Sequence, residues 1–145
     1  MNRIDLAVSR RIPAPAEQVF DRWIDPRAAG GPWFGARQVL LNPEVDGLFY
    51  SSVHHKGRAC SHYGRFLRIE RPACLEFTWV SEATQGLETT VIVTFESRGA
   101  ETLVTLRHAG VPDDAEGMRH KEGWAWVLST LEQSFCARTE TSAPA

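Results

Sequence analysis

Four side chains able to bind metal ions lie close together in the sequence: His54, His55, Cys60 and His62. Lys56-Gly57 between them is a candidate two-residue turn, because glycine accepts a positive φ. The turn would place His55, Cys60 and His62 on one face of a hairpin, and imidazole and thiolate are zinc ligands. No fourth ligand is evident and the spacing matches no standard zinc motif. We therefore predict no metal and interpret the histidines as surface residues or as polar groups at the mouth of a pocket.

His108 is the candidate for acid–base chemistry. It ends a predicted strand and shares the parity of Val104 and Leu106, so we expect its side chain to point inward. An inward imidazole can orient a ligand or act as a general base. No acid partner can be assigned from the sequence, so the default expectation is a hydrogen-bonded histidine near the rim of the fold. We predict no catalytic residue.

Other motifs that carry chemistry are missing from the sequence. Cys60, Cys74 and Cys136 lie outside any triad context, and no serine occupies a Gly-x-Ser-x-Gly elbow. There is no glycine-rich dinucleotide fingerprint and no phosphate-binding loop. The sequence therefore predicts no cofactor.

Composition excludes several classes of partner. The chain has 145 residues and a formal net charge of -2, which argues against a nucleic-acid partner and against an anionic membrane surface. Three widely spaced cysteines indicate reduced thiols, and no signal peptide or membrane span is recognisable, so we expect a cytoplasmic protein. We predict one domain over residues 1–138, followed by a polar tail over 139–145.

The elements that would position these residues follow from periodicity. A strand ends at Ile12, and a helix opens at Ala14-Pro15, where proline suits the first turn. Asp25-Pro26 predicts a second short helix, which ends at Gly30-Gly31. Alternating apolar residues then predict six strands, over 37–42, 48–55, 58–70, 74–80, 88–96 and 102–108.

The last third of the chain predicts one long helix. Trp124, Val127, Leu128, Leu131 and Phe135 follow the spacing of a helix with one buried face. Gly123 inside this helix costs about 1 kcal/mol relative to alanine, which favours a close approach to a neighbouring element. The fold class is therefore α+β, a curved antiparallel sheet wrapped around a C-terminal helix.

Such an arrangement tends to leave a space between helix and sheet, and aromatic residues are placed to line it. The alternative is a core that the same residues fill completely, and the sequence leaves both open. The predicted ligand-binding residues form a roof from the helix, a floor from the sheet and an entrance: Trp124, Leu128 and Leu131; Phe77, Trp79 and Phe95; Trp33 and Phe34. Phe49 also belongs to the aromatic lining, and His62 and His108 are the polar groups.

The order of elements, with particular residues in place, resembles the START-like (SRPBCC) superfamily. Within it, the chain resembles the family homologous to the activator of the heat-shock-protein-ninety ATPase. The residues that carry the likeness span nearly the whole chain: Ala14 to Phe20, Trp23, Asp25-Pro26, Trp33-Phe34-Gly35, Gly47-Leu48-Phe49, Gly64-Arg65-Phe66, Leu75 to Trp79, Thr102 to Leu106 and Gly123-Trp124. The resemblance implies a helix-grip fold with two short helices after the first strand.

Three functions remain as hypotheses. The first, which we favour, is binding of a hydrophobic or amphipathic small molecule, such as a lipid, between sheet and helix. The second, which the resemblance implies, is a chaperone-associated interaction domain. The third is a cyclase-like or dehydratase-like enzyme acting on polyketide-type substrates, as in some START-like relatives. The sequence also leaves open whether the chain forms a homodimer.

Overall fold

The computed structural model describes residues 2–33 and 35–142, with the side chains of residue 55 and residues 137–142 outside the description. Seven antiparallel strands form one curved sheet in the order β1-β7-β6-β5-β4-β3-β2. The elements are β1 (Arg3–Ile12), α1 (Ala16–Trp23), β2 (Gln38–Leu41), β3 (Leu48–His55), β4 (Arg58–Glu70), β5 (Cys74–Ser81), a 3-10 helix (Glu82–Thr84), β6 (Thr89–Arg98), β7 (Glu101–Pro112) and α2 (Ala115–Ser142). The α+β fold class is confirmed.

The first hairpin forms as its turn residues predict. Lys56 and Gly57 have φ values of 52° and 78°, the left-handed pair that a two-residue hairpin turn requires. Val53 pairs with Cys60 and Ser51 with His62 across β3 and β4. Because successive side chains alternate between the two faces of a strand, Phe49, Ser51 and Val53 lie on the inner face with Cys60 and His62.

The sheet bends at β4. A Cβ at Gly64 would collide with the carbonyl oxygen of Thr78 and lie 2.7 Å from the Phe49 ring, so only glycine fits there. The register between β4 and β5 also shifts between Phe66 and Arg68, and such a bulge increases the local bend and twist of the strand. The resulting curvature lets the inner face follow the surface of α2.

One of the two predicted short helices does not form. The segment from Asp25 to Gly31 makes consecutive turns, closed by hydrogen bonds from Ala28 N–H to Asp25 O and from Gly31 N–H to Ala28 O. The Asp25 carboxylate accepts a hydrogen bond from Arg27 N–H at 2.9 Å, as a helix-capping residue does. Both of these backbone hydrogen bonds join residues three apart, as in isolated turns, whereas an α-helix joins residues four apart, so the segment is not an α-helix.

The long helix α2 forms with the expected buried stripe. Asp114 caps its first turn by accepting a hydrogen bond from Gly117 N–H at 2.7 Å. Four of the five predicted stripe residues are buried, Trp124, Leu128, Leu131 and Phe135, and Val127 is partly buried. The helix continues to Ser142, so residues 139–142 of the predicted tail are helical, and the last three residues lie outside the description.

The expectation for Gly123 was wrong. A Cβ there would meet no atom within 4 Å, so this glycine faces open space and makes no close approach. Gly117 is the position in α2 where only glycine fits, because a Cβ there would collide with the carbonyl oxygen of Pro112. Helix α2 is therefore locked to the end of β7 near its start.

Candidate functional site

The structure brings together most of the predicted aromatic lining. The Phe49 ring lies 5.2 Å from Trp33, 5.6 Å from Phe77 and 5.9 Å from Trp79. Trp79 in turn contacts the α2 residue Trp124, with ring centroids 5.0 Å apart. These five residues form one cluster between the sheet and the helix, which we call the aromatic cluster. Phe34, the other predicted entrance residue, lies outside the described residues.

The rest of the predicted lining lies deeper in the core. Phe95 packs against α1, with ring centroids 5.2 Å from Phe20 and 6.1 Å from Trp23. Leu128 and Leu131 of α2 are fully buried in the same hydrophobic core. Phe95 therefore joins α1 to the sheet, and the aromatic cluster is the part of the lining nearest to His62 and His108.

The side chain of His108 points inward, as strand parity predicts. Its side chain is completely buried, and both ring nitrogens have partners. Thr89 Oγ1 donates its proton to the carbonyl of Trp79 at 2.6 Å, so at 2.7 Å from His108 Nε2 it must accept that N–H. The opposite nitrogen, Nδ1, accepts a hydrogen bond from Trp124 Nε1 at 2.9 Å. His108 is therefore the neutral tautomer with its proton on Nε2.

Electrostatics favour the same neutral state. Burial of the ring, with a smaller contribution from His120, lowers the pKa of His108 from 6.5 to about 3. Because the lone pair on Nδ1 is already used by Trp124, no basic nitrogen is left to accept a proton from a substrate. His108 connects β6, β7 and α2 through hydrogen bonds and does not have the geometry of a general base.

His62 lies at the edge of the aromatic cluster. Its ring stacks on Trp79 with centroids 4.9 Å apart and an interplanar angle of 31°, and both side chains are partly exposed. Burial lowers the pKa of His62, and the nearby His120 lowers it further. A partly exposed pair of stacked rings therefore forms the rim of the cluster.

His120 is the site residue that sequence reasoning missed. Its ring lies edge-on to His108 at 5.0 Å, and Nδ1 lies 3.0 Å from the carbonyl oxygen of Gly117. The available signal was its position four residues before Trp124, which places both side chains on one face of a helix.

Three of the four candidate metal-binding residues of the first hairpin, His54, Cys60 and His62, have described side chains. Among the side chains that the structure describes, no group of three or more histidine, cysteine, aspartate or glutamate residues could hold an ion. The side chain of His55 lies outside that description. Cys60, Cys74 and Cys136 are free thiols.

Two indole nitrogens are buried without a hydrogen-bond acceptor among the described residues, those of Trp23 and Trp79. Trp23 is sealed in the core with only 1% of its surface exposed. Trp79 differs from Trp23 because its side chain is partly exposed and its ring packs against His62 at the rim of the cluster. An unpaired buried N–H costs free energy of about 1–3 kcal/mol, so a partner for the Trp79 N–H would be stabilising.

A cavity of about 160 Å³ lies between α2 and the segment 30–32. It is lined by Gly30, Gly31, Pro32, Trp126, Val127 and Thr130. This cavity adjoins the predicted entrance segment, where Trp33 donates a hydrogen bond from Nε1 to the carbonyl of Trp23 at 2.8 Å. It is smaller than the 300–1,000 Å³ that is usual for ligand pockets.

Solved structures share this fold at low sequence identity. Protein CV1439 from Chromobacterium violaceum superposes with a TM-score of 0.76 and 20% identity over 89% of this chain and 94% of that chain. The AHSA1-like protein from Aeromonas hydrophila gives 0.74 and 20%, covering 94% of each chain. DynU16, from the dynemicin biosynthetic locus, gives 0.72 and 21% over 89% of this chain but only 46% of its own.

Comparison of the sequence with curated proteins gives no match. The family model for Activator of Hsp90 ATPase homolog 1-like proteins, in contrast, matches residues 13–135, most of the chain. The match includes α1, the aromatic cluster, His62, His108 and the buried stripe of α2. The chain therefore belongs to the family of Activator of Hsp90 ATPase homolog 1-like proteins.

Proposed function

We propose that this protein binds an apolar or amphipathic small molecule between α2 and the inner face of the sheet. The observation that carries the proposal is the rim formed by Trp79 and His62. Their stacked rings continue the buried aromatic cluster, yet both side chains are partly exposed. Aromatic surface that runs from solvent into an apolar interior, with few polar groups, is typical of small-molecule sites.

The proposed site has the floor and roof that the aromatic cluster supplies. Phe77 and Trp79 form the floor from β5, and Trp124 forms the roof from α2. The rings of Trp79 and Trp124 touch at 5.0 Å, so a ligand enters only when these two rings separate.

A neutral fluorescent probe, N-phenyl-1-naphthylamine, tests this proposal. We expect saturable binding with one probe per chain and a rise in probe emission. Trp79→Leu should weaken binding about tenfold, because it removes aromatic surface from the floor. Circular dichroism of each variant reports whether the fold is retained.

The matched control uses the opposite face of the sheet. Leu40, Leu48 and Tyr63 are exposed by 62%, 67% and 50%, and their strand positions alternate with the inner residues. A triple variant, Leu40→Ser with Leu48→Ser and Tyr63→Ser, should bind the probe as the wild type does. Loss of binding in the triple variant with full binding in Trp79→Leu would refute the proposed site.

The same exposed residues favour a second candidate function, contact with a chaperone. Leu40, Leu48 and Tyr63 share the outer face of β2, β3 and β4, and exposed apolar patches mark interaction surfaces. Hsp90 ATPase rates measured with and without this protein test the idea. Stimulation that the triple serine variant loses would support it, and an unchanged rate would remove it.

We also propose a cytoplasmic location. The support is chemical: Cys60, Cys74 and Cys136 are all free, which suits a reducing compartment. Separately, none of the helices in the described residues is long and apolar enough to cross a bilayer.

A further inference from the structure

The two outermost strands of the sheet differ in how their edges are protected. They are β1 and β2. Strand β1 carries several charged side chains, and Arg10 on it is hydrogen-bonded to Glu132 of α2. Strand β2 (Gln38–Leu41) contains no charged residue and no proline, which are the residues that commonly keep a sheet edge from pairing with another strand.

The backbone of β2 presents hydrogen-bonding groups at this edge. Asn42 N–H donates to the Leu48 carbonyl at 3.1 Å, in register with the pairing of β2 and β3. Because the backbone groups of an antiparallel strand point alternately to its two sides, the N–H and C=O groups of Val39 and Leu41 point away from β3. None of the described residues hydrogen-bonds to these groups, which we call the β2 edge.

An apolar row of side chains leads to the β2 edge on the outer face of the sheet. Leu40 pairs with Tyr50, and Tyr50 pairs with Tyr63, so the three side chains lie side by side across β2, β3 and β4. Leu40 is 62% exposed and Tyr63 is 50% exposed. Exposed apolar surface that reaches an unpaired strand is typical of a protein–protein contact.

Charges at the two ends of β2 indicate which partner fits. Arg37 lies directly before the strand and Glu44 lies shortly after it, and both side chains are exposed. Neither forms an ion pair with another described residue. In an antiparallel pair of β2 strands, the start of each strand lies beside the end of the other, so Arg37 of each copy approaches Glu44 of the other. A parallel pair would instead bring like charges together.

We propose that a second copy of this chain binds at the β2 edge and continues the sheet. The two β2 strands run antiparallel about a twofold axis at Leu40, so Val39 of each copy pairs with Leu41 of the other. All the backbone groups of both β2 edges then have partners, and the two Leu40 side chains face each other across the axis. This contact is independent of small-molecule binding on the inner face. It would compete with a chaperone for Leu40.

Sedimentation velocity of the full chain over a series of concentrations tests the proposal. The strand is short and the contact correspondingly small, so we expect a reversible monomer–dimer equilibrium with a dissociation constant in the micromolar range. No larger species should form, because a twofold contact closes on itself. A protein that stays monomeric throughout the series, or that forms species larger than a dimer, would overturn the proposal.

Two matched variants test the position of the contact. Leu40→Arg places like charges opposite each other at the axis and should weaken the dimer at least about tenfold. Leu48→Arg is the control, because Leu48 is similarly exposed, at 67%, on the outer face but lies one strand farther from the edge. It should change the dissociation constant by less than about twofold. Equal weakening by the two variants, with circular dichroism showing intact folds, would overturn the β2 edge as the contact.

A charge exchange tests the orientation of the two copies. Arg37→Glu should weaken the dimer about fivefold, because it brings two carboxylates together at each end of the paired strands. Combining it with Glu44→Arg should restore the wild-type dissociation constant within about twofold, since the opposite charges face each other again. Failure of the double variant to recover would contradict the antiparallel arrangement.

Hydrogen exchange observed by NMR reports on the backbone groups themselves. As the protein concentration rises, exchange of the Val39 and Leu41 amides should slow, while the amides of β1 should keep their rates. A dimer that forms without protecting Val39 and Leu41 would overturn the proposal.

Discussion

His108 illustrates how two hydrogen bonds fix the state of one buried residue. Thr89 accepts from Nε2 and Trp124 donates to Nδ1, so the imidazole fits only in one neutral tautomer. Protonation of Nδ1 would set two N–H groups against each other. His108 therefore connects α2 to the sheet at neutral pH, and its folded environment disfavours protonation of the ring.

This arrangement makes stability depend on pH in a defined direction. Between pH 6.5 and about 3, the histidine in the unfolded chain binds a proton while His108 in the folded protein does not. The free energy of unfolding should therefore fall on acidification from pH 6.5, by up to about 1.4 kcal/mol per pH unit from this group. His62, whose pKa is also lowered, adds to the same trend.

Urea unfolding of the wild type and of His108→Gln at pH 7, 6 and 5 measures the effect. Glutamine retains a donor and an acceptor but does not titrate, so the variant should lose part of the slope. Equal slopes for both proteins would show that His108 does not remain neutral in the folded state.

The two tryptophans near the middle of α2 should respond differently to truncation. Trp124 is 6% exposed and Trp126 is 68% exposed. Trp124→Ala should lower the free energy of unfolding by about 3–5 kcal/mol, because it leaves a cavity and removes the hydrogen bond to His108. Trp126→Ala is the control in the same helix and should change stability by less than about 0.5 kcal/mol. Equal losses in denaturant unfolding would contradict the described orientation of α2.

At the scale of elements, periodicity predicts much of this structure. The strands were located because apolar residues alternate through them, and the hairpin at Lys56-Gly57 because its turn chemistry is local. The prediction of a second short helix was wrong: Asp25 accepts the capping hydrogen bond, but the backbone after it forms separate turns. Local signals identify where a helix begins more readily than whether it continues.

The candidate site could be predicted only in part from the sequence. Helical spacing identified Trp124, Leu128 and Leu131 as buried, and strand parity identified His108 as inward. The partners of His108 could not be assigned, because they come from other elements and depend on tertiary packing. The contacts of His120 with His108 depend on the same packing.

Two glycines of α2 give a further prediction. Gly123→Ala should stabilise the protein by about 0.5–1 kcal/mol, since its Cβ meets only open space and alanine favours the helix. Gly117→Ala should destabilise it by about 1–3 kcal/mol, because the added methyl collides with the Pro112 carbonyl oxygen. Thermal unfolding of both variants measures the difference. The same sign for both would contradict the described packing of α2 against the end of β7.

For the whole molecule, the curvature of the sheet separates an enclosed inner face from an exposed outer face. The close approach at Gly64 and the bulge after Phe66 bend β4. The inner face then encloses the aromatic cluster, while the outer face of β2, β3 and β4 exposes Leu40, Leu48 and Tyr63. The two faces offer different surfaces, and our account places the small molecule on the inner one.

Intermolecular nuclear Overhauser effects between N-phenyl-1-naphthylamine and isotope-labelled protein locate the bound molecule directly. Our account predicts that the probe's protons show these effects to the ring protons of Trp79, Phe77 and Trp124. Effects confined to Leu40, Leu48 and Tyr63, with none to the inner rings, would contradict it.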